Sequence, residues 1–81
     1  MEYVVEISPR AWKDLRKLDG HLAKRIISKI GVLKSGLTGD VKRLTDFETG
    51  YRLRVGDYRV LFDLESDKLI VRRIKNRREA Y

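Results

Sequence analysis

The chain has 81 residues, no cysteine and 42% hydrophobic residues, enough apolar material for one small core but with neither disulfide bracing nor thiolate metal sites. Its 19 lysines and arginines against 12 acids give a formal net charge of +7, which attracts a polyanion or an acidic protein. No apolar run approaches the ~18 residues of a membrane span, and the Met1-Glu2-Tyr3 start lacks the basic-then-apolar pattern of a secretory signal, so a cytoplasmic protein with no membrane attachment is expected.

Residues 3 to 7, Tyr-Val-Val-Glu-Ile, are β-branched and aromatic and predict a short strand. Ser8 offers an N-cap and Pro9 a first helical residue. Ala11, Leu15 and Leu18 then keep helical spacing with Trp12 beside them, and Asp19-Gly20 is expected to end this helix. A second helix is predicted from about His21 to Lys34, because Leu22, Ile26, Ile30 and Leu33 form an apolar stripe that Ala23 and Ile27 widen. Gly36 is a natural C-terminal cap.

From Leu37 to Gly50 the signal weakens: Val41 to Leu44 suits a short strand and Asp46 to Gly50 a turn. Beyond it the period becomes two. Tyr51, Leu53 and Val55 alternate with Arg52 and Arg54, then Tyr58, Val60, Phe62 and Leu64 alternate with Arg59, Leu61 and Asp63. A further strand is expected from Leu69 to about Lys75. The sum is one α+β domain over residues 1–81: an N-terminal strand, a helical hairpin, and an antiparallel three-stranded meander forming one sheet with the helices on one face.

Gly56-Asp57 between alternating runs reads as a two-residue hairpin turn with glycine first, which sets Val55 against Tyr58 and Arg54 against Arg59. Like charges in opposed cross-strand positions repel, and Arg52 adds a third on the same face. A solvated face with the arginines paired to Asp63 or Glu48 is one reading. The other is a phosphate grip, to which planar guanidinium forks are matched. If the Glu65 to Lys68 loop pairs Leu64 with Leu69, residue 74 lies opposite Arg59, and the basic run from Arg72 to Tyr81 passes beside the arginines. Its terminal tyrosine is suited to stacking on a base.

The segment Tyr51-Arg52-Leu53-Arg54-Val55-Gly56-Asp57-Tyr58-Arg59-Val60 and the ending Asn76-Arg77-Arg78-Glu79-Ala80-Tyr81, together with the strand and helical hairpin, resemble the RelE/ParE superfamily of toxin-antitoxin toxins over nearly the whole chain. The resemblance implies a ribosome-dependent endoribonuclease that enters the vacant A site, cleaves mRNA without metal or other cofactor, and is silenced by an acidic, RelB-like antitoxin. In that chemistry the 2′-hydroxyl attacks the adjacent phosphorus, leaving a 2′,3′-cyclic phosphate and a 5′-hydroxyl. Carried over residue by residue, the resemblance makes Arg52, Arg54, Arg59, Arg77 and Tyr81 the catalytic set. Arg59 and Arg77 would hold the phosphate, Arg54 would stabilise its transition state and Tyr81 would orient the base. Arg72, Lys75, Arg78, Lys42 and Arg43 are expected to add RNA contacts.

Some relatives carry lysines at the hairpin positions taken here by Arg52 and Arg54, and arginine is a poor general base. Glu48 is the alternative proton acceptor, while His21, at a helix start, reads as a surface or capping residue. Within the same fold, a ParE-like protein would instead inhibit DNA gyrase by binding it, and an inactive relative would only bind RNA or antitoxin. One histidine and no cysteine cannot build the usual zinc site, and no P-loop or Gly-x-Gly-x-x-Gly is present.

Overall fold

Ser8 links the first strand to the first helix by its own chemistry. In the computed structural model, which describes residues 2–45 and 47–80, strand β1 (Val4–Ile7) ends where the Ser8 backbone N–H donates to the Val71 carbonyl at 2.9 Å. The Ser8 hydroxyl oxygen accepts from the Ala11 N–H at 3.1 Å and so caps α1 (Pro9–Arg16), with Pro9 at the first helical position. Asp19 does not end this helix, as the Asp19-Gly20 pair suggested. Its carboxylate accepts from the His21 N–H at 2.9 Å and starts α2 (Gly20–Val32). A 3-10 turn, Leu33–Ser35, finishes the helical hairpin ahead of Gly36.

The strands β2 (Val41–Arg43), β3 (Tyr51–Val55), β4 (Tyr58–Glu65) and β5 (Lys68–Asn76) follow, then a short helix, α3 (Arg77–Ala80). They form a five-stranded sheet in the order β1-β5-β4-β3-β2. The meander is antiparallel as expected; β1 adds to it in parallel, with Val4 opposite Lys68 and Ile7 opposite Val71. The expected short strand after Leu37 becomes the outer strand β2, whereas the expected turn residue Asp46 and the terminal Tyr81 lie outside the described residues.

The helices cover one face. Ala11, Leu15, Ile26, Ile30 and Leu33 pack on Leu53, Val55, Val60, Phe62, Leu69, Val71 and Ile74, and Tyr51 stacks on Phe62 with ring centroids 5.4 Å apart. Trp12, expected beside the apolar stripe, is 45% exposed. Among the described residues no helix is long and apolar enough to cross a membrane.

One irregularity sets the geometry of the opposite face. Val71 and Ile74 are both buried in the core, yet residues three apart in a regular strand point to opposite faces. The register therefore shifts between Leu61 and Phe62: Phe62 pairs with Val71 but Leu61 with Arg73, leaving Arg72 as the extra residue of a bulge. Leu64 faces Leu69 as expected, but Arg59 faces Lys75 rather than residue 74.

The two-residue β4–β5 turn holds Ser66 at φ 56, a left-handed conformation that costs a non-glycine residue about 1 kcal/mol or more. Ser66→Gly is expected to raise stability by about 0.5 kcal/mol, the relieved strain exceeding glycine's extra unfolded-state entropy. A urea midpoint displaced upward at unchanged slope checks this.

Candidate nucleic-acid interface

Because opposed residues share a face, the pairings of Arg54 with Arg59 and of Arg59 with Lys75 put three cations in one row across β3, β4 and β5, on the side away from the helices. Neighbouring strands lie ~4.8 Å apart, so the row spans roughly 10 Å. Arg59 sits at its centre and is only 8% exposed. Its Nη1 donates to the carbonyls of Gly56 and Tyr58, both at 3.0 Å, which fixes the guanidinium plane and leaves the Nε and Nη2 edge. That edge is the fork that binds two phosphate oxygens at once. The Gly56-Asp57 turn supplies the first anchor: Gly56 adopts φ +58, as a turn with glycine first requires.

Arg52 shares this face one row back, opposite Lys42 on β2 and the buried Leu61 on β4. Its Nη1 donates to both the carbonyl and the carboxylate of Asp40 at 3.0 Å, and Asp40 also lies 3.8 Å from Arg54 Nε. The hydrogen bond from Arg52 does most to hold the Asp40 carboxyl below its ordinary range, outweighing partial desolvation, with the charges of Arg52, Arg54 and Arg59 adding to it. Asp40 is thus the acid that offsets the repulsion between the arginines; the sequence pointed to Asp63 or Glu48. Asp63 instead accepts from the Gly50 N–H at 2.7 Å and from Arg72 Nε at 3.1 Å.

The remaining sequence candidates divide. Arg77 begins α3 at the hairpin end of the sheet: its backbone N–H donates to the Asp57 carbonyl at 2.8 Å and its Nε lies 3.9 Å from the Asp57 carboxylate. With Arg78 and Lys75 it lines a groove of about 570 Å³ whose other wall is the α1 end at Asp14, Lys17 and Leu18. Arg72 is drawn to Asp63 and Glu65, well along β4 from Arg59. Arg43 pairs with Tyr51 and so shares the helix-covered face by register. Glu48 precedes β3 at the end opposite the Gly56-Asp57 turn. His21 is exposed next to its helix cap, as expected. Among the described residues no group of three or more His, Asp or Glu side chains is gathered to hold a metal ion.

One residue that shapes the site escaped sequence reasoning. β1 stops opposite Val71, so the rest of β5 has no strand neighbour on that side. There the Asp14 carboxylate accepts from Arg73 Nε at 2.8 Å, from Arg73 Nη2 at 3.3 Å and from the Ile74 N–H at 2.9 Å. Burial alone would raise the Asp14 pKa, but the hydrogen bonds from Arg73 and Ile74, with the charges of Arg73 and Arg10, hold it below the ordinary range. Its sequence signal was slight: Asp14 is the one acid within α1.

This arrangement, a helical hairpin on a mostly antiparallel sheet with a cationic open face, is the RelE-type toxin fold. The RelE-RelB complex of Pyrococcus horikoshii OT3 aligns with a TM-score of 0.80 at 26% identity over 99% of this chain and 100% of that one. The RelB-RelE complex of Methanococcus jannaschii aligns at 0.74 and 30% identity over 89% of each chain. In sequence the chain is 34% identical to toxin RelE3 of Methanocaldococcus jannaschii over 74 residues, 85% of this chain and 84% of that protein. Residues 5–81 match the model of the ParE toxin of the type II toxin-antitoxin system, parDE. The chain belongs to that family, within the RelE/ParE toxin superfamily, as a RelE-type toxin of a toxin-antitoxin system.

Proposed function

We propose that this chain, a single RelE-like toxin domain over residues 1–81, is a ribosome-dependent endoribonuclease that cleaves mRNA in the A site and is neutralised by an acidic antitoxin. The observation that carries the reading is the Arg54–Arg59–Lys75 row with its pre-oriented guanidinium. In-line attack of the 2′-oxygen on phosphorus breaks the bond to the 5′-oxygen and puts extra negative charge on the non-bridging oxygens. A row of cations whose central member is held in place stabilises that charge with little reorganisation, and the proposed reaction uses no metal ion. Arg59 and Arg77 hold the phosphate, Arg54 adds charge, and Arg52 keeps Asp40 and Arg54 in place.

Arginine keeps its proton, so Lys75 is the member of the row able to donate one, to the departing 5′-oxygen, while the 2′-hydroxyl proton passes to solvent. Lys75→Arg is therefore expected to hold KM within about twofold but to lower kcat about a hundredfold, the usual scale of a lost general acid. Single-turnover cleavage on programmed ribosomes measures both.

The antitoxin reading is supported by the net charge of +7 and by the archaeal relatives whose structures are RelE-RelB complexes. A second reading, gyrase inhibition, draws on the match to the ParE family model. Mapping mRNA ends after induction in growing cells separates them. Cuts phased with the reading frame, with gyrase supercoiling unaffected by purified protein, are expected; inhibited supercoiling without cuts would establish the second reading.

A further inference from the structure

The cation row runs across the strands, and each of its ends opens into a groove where the sheet loses its outer strand. On one side β1 stops opposite Val71, and Lys75 lines the 570 Å³ groove that also holds Lys17 and Arg78. On the other side β2 pairs no further than Leu53, and Arg54 lines a groove of about 270 Å³ with Arg25 and Lys29 of α2. Arg25 and Lys29 stand one helical turn apart, so both reach the same groove, which Arg25 shares with Gly56, the residue whose carbonyl anchors Arg59. Among the described residues the one acid of this groove, Asp40, is already engaged by Arg52 and Arg54. Of the three acids lining the larger groove, Asp14 is held by Arg73, Asp57 lies 3.9 Å from Arg77, and Glu79 adds one negative charge against Lys17, Lys75 and Arg78. Lys17, Arg25, Lys29 and Arg78 meet no carboxylate within salt-bridge distance among the described residues.

We propose that single-stranded RNA crosses the sheet from edge to edge along this row, its flanking phosphates held by Arg25 and Lys29 at one edge and by Lys17 and Arg78 at the other. This rests on the reading of the open face as an RNA grip. It assigns to both helices a part in the same site, with Arg54 and Lys75 as the shared corners. A linear polyanion fits the observations better than an acidic protein surface, because three of the cations stand in one row across the strands and the others line the grooves at its two ends.

The test uses a fluorescent single-stranded RNA with 2′-O-methyl riboses, which removes the nucleophile, and reads affinity by anisotropy against salt concentration. Each phosphate contact contributes about 0.7 to the slope of log affinity on log salt. Arg25→Ala/Lys29→Ala is expected to flatten the slope by about 1.4 and Lys17→Ala by about 0.7. Lys34→Ala, beside Tyr3 at the other end of the sheet, should leave it unchanged. Unchanged slopes in the groove variants, equal flattening by Lys34→Ala, or loss of polyglutamate binding with RNA binding intact would overturn the proposal. Binding needs no cleavage, so slopes that behave as expected in a protein that cuts no RNA uphold the path and reject only the chemistry.

Discussion

Arg59→Ala is expected to lower ribosome-programmed cleavage by about a hundred- to a thousandfold, the cost of deleting one pre-organised donor from an anionic transition state. Arg59 stands between Arg54 and Lys75, and its Nη1 is committed to the carbonyls of Gly56 and Tyr58. Alanine removes both anchors and the phosphate fork together. The two freed carbonyls lie at the hairpin end, within reach of water, and losing the central charge relieves repulsion from both neighbours, so the fold should melt within a few degrees of the parent. Arg59→Lys separates charge from geometry: it retains the cation but not the bidentate fork, and should fall between parent and alanine. Steady-state rates with circular-dichroism melts of each variant supply the measurements.

The largest effect on stability is expected at Asp14, whose side chain is 9% exposed. Asp14→Ala leaves the Ile74 N–H and the Arg73 guanidinium without their acceptor at the free edge of β5, at a cost of about 2–3 kcal/mol or roughly 10–20 °C in a chain of this size. Asp14→Asn, which keeps an acceptor for Ile74, should lose less. The pH dependence has a definite sign. The folded Asp14 pKa lies below its unfolded value, so its contribution is full above about pH 4 and disappears as pH falls through the folded value. Asp14→Ala should therefore show a shallower loss of stability below pH 4 than the parent, as urea midpoints across that range will record.

Local chemistry made much of the fold legible. The Ser8-Pro9 cap, the apolar stripe ending at Leu33, the strand alternation and the Gly56-Asp57 turn each depend on residues close in sequence, and the Arg54–Arg59 opposition follows from the turn alone. What depended on distant partners was not legible. Nothing in Val4 to Ile7 says that β1 lies parallel to β5, and Asp40 meets Arg52 only once β2 has joined the sheet. The bulge at Arg72 falls between these cases. Leu69 and Val71 keep a spacing of two and Ile74 breaks it, so a one-residue shift was readable in principle, and it is what brings Lys75 beside Arg59. Register likewise separates Lys42 from Arg43, adjacent basic residues that point to opposite faces of the sheet.

The site's chemistry was legible in kind but not in detail. Arginines on alternate positions of a hairpin pointed to phosphate, yet whether each would be free or braced depended on acids elsewhere in the chain: Arg52 is held by Asp40, Arg72 by Asp63 and Glu65, and Arg73 by Asp14.

The most direct measurement incubates purified protein with ribosomes carrying an mRNA whose A-site codon is vacant, and analyses both new ends. A cut within that codon is expected, with a 2′,3′-cyclic phosphate on one product and a 5′-hydroxyl on the other, and at least a hundredfold slower cutting by Arg59→Ala. Intact mRNA, or equal cutting by the folded Arg59→Ala protein, would contradict the proposed function.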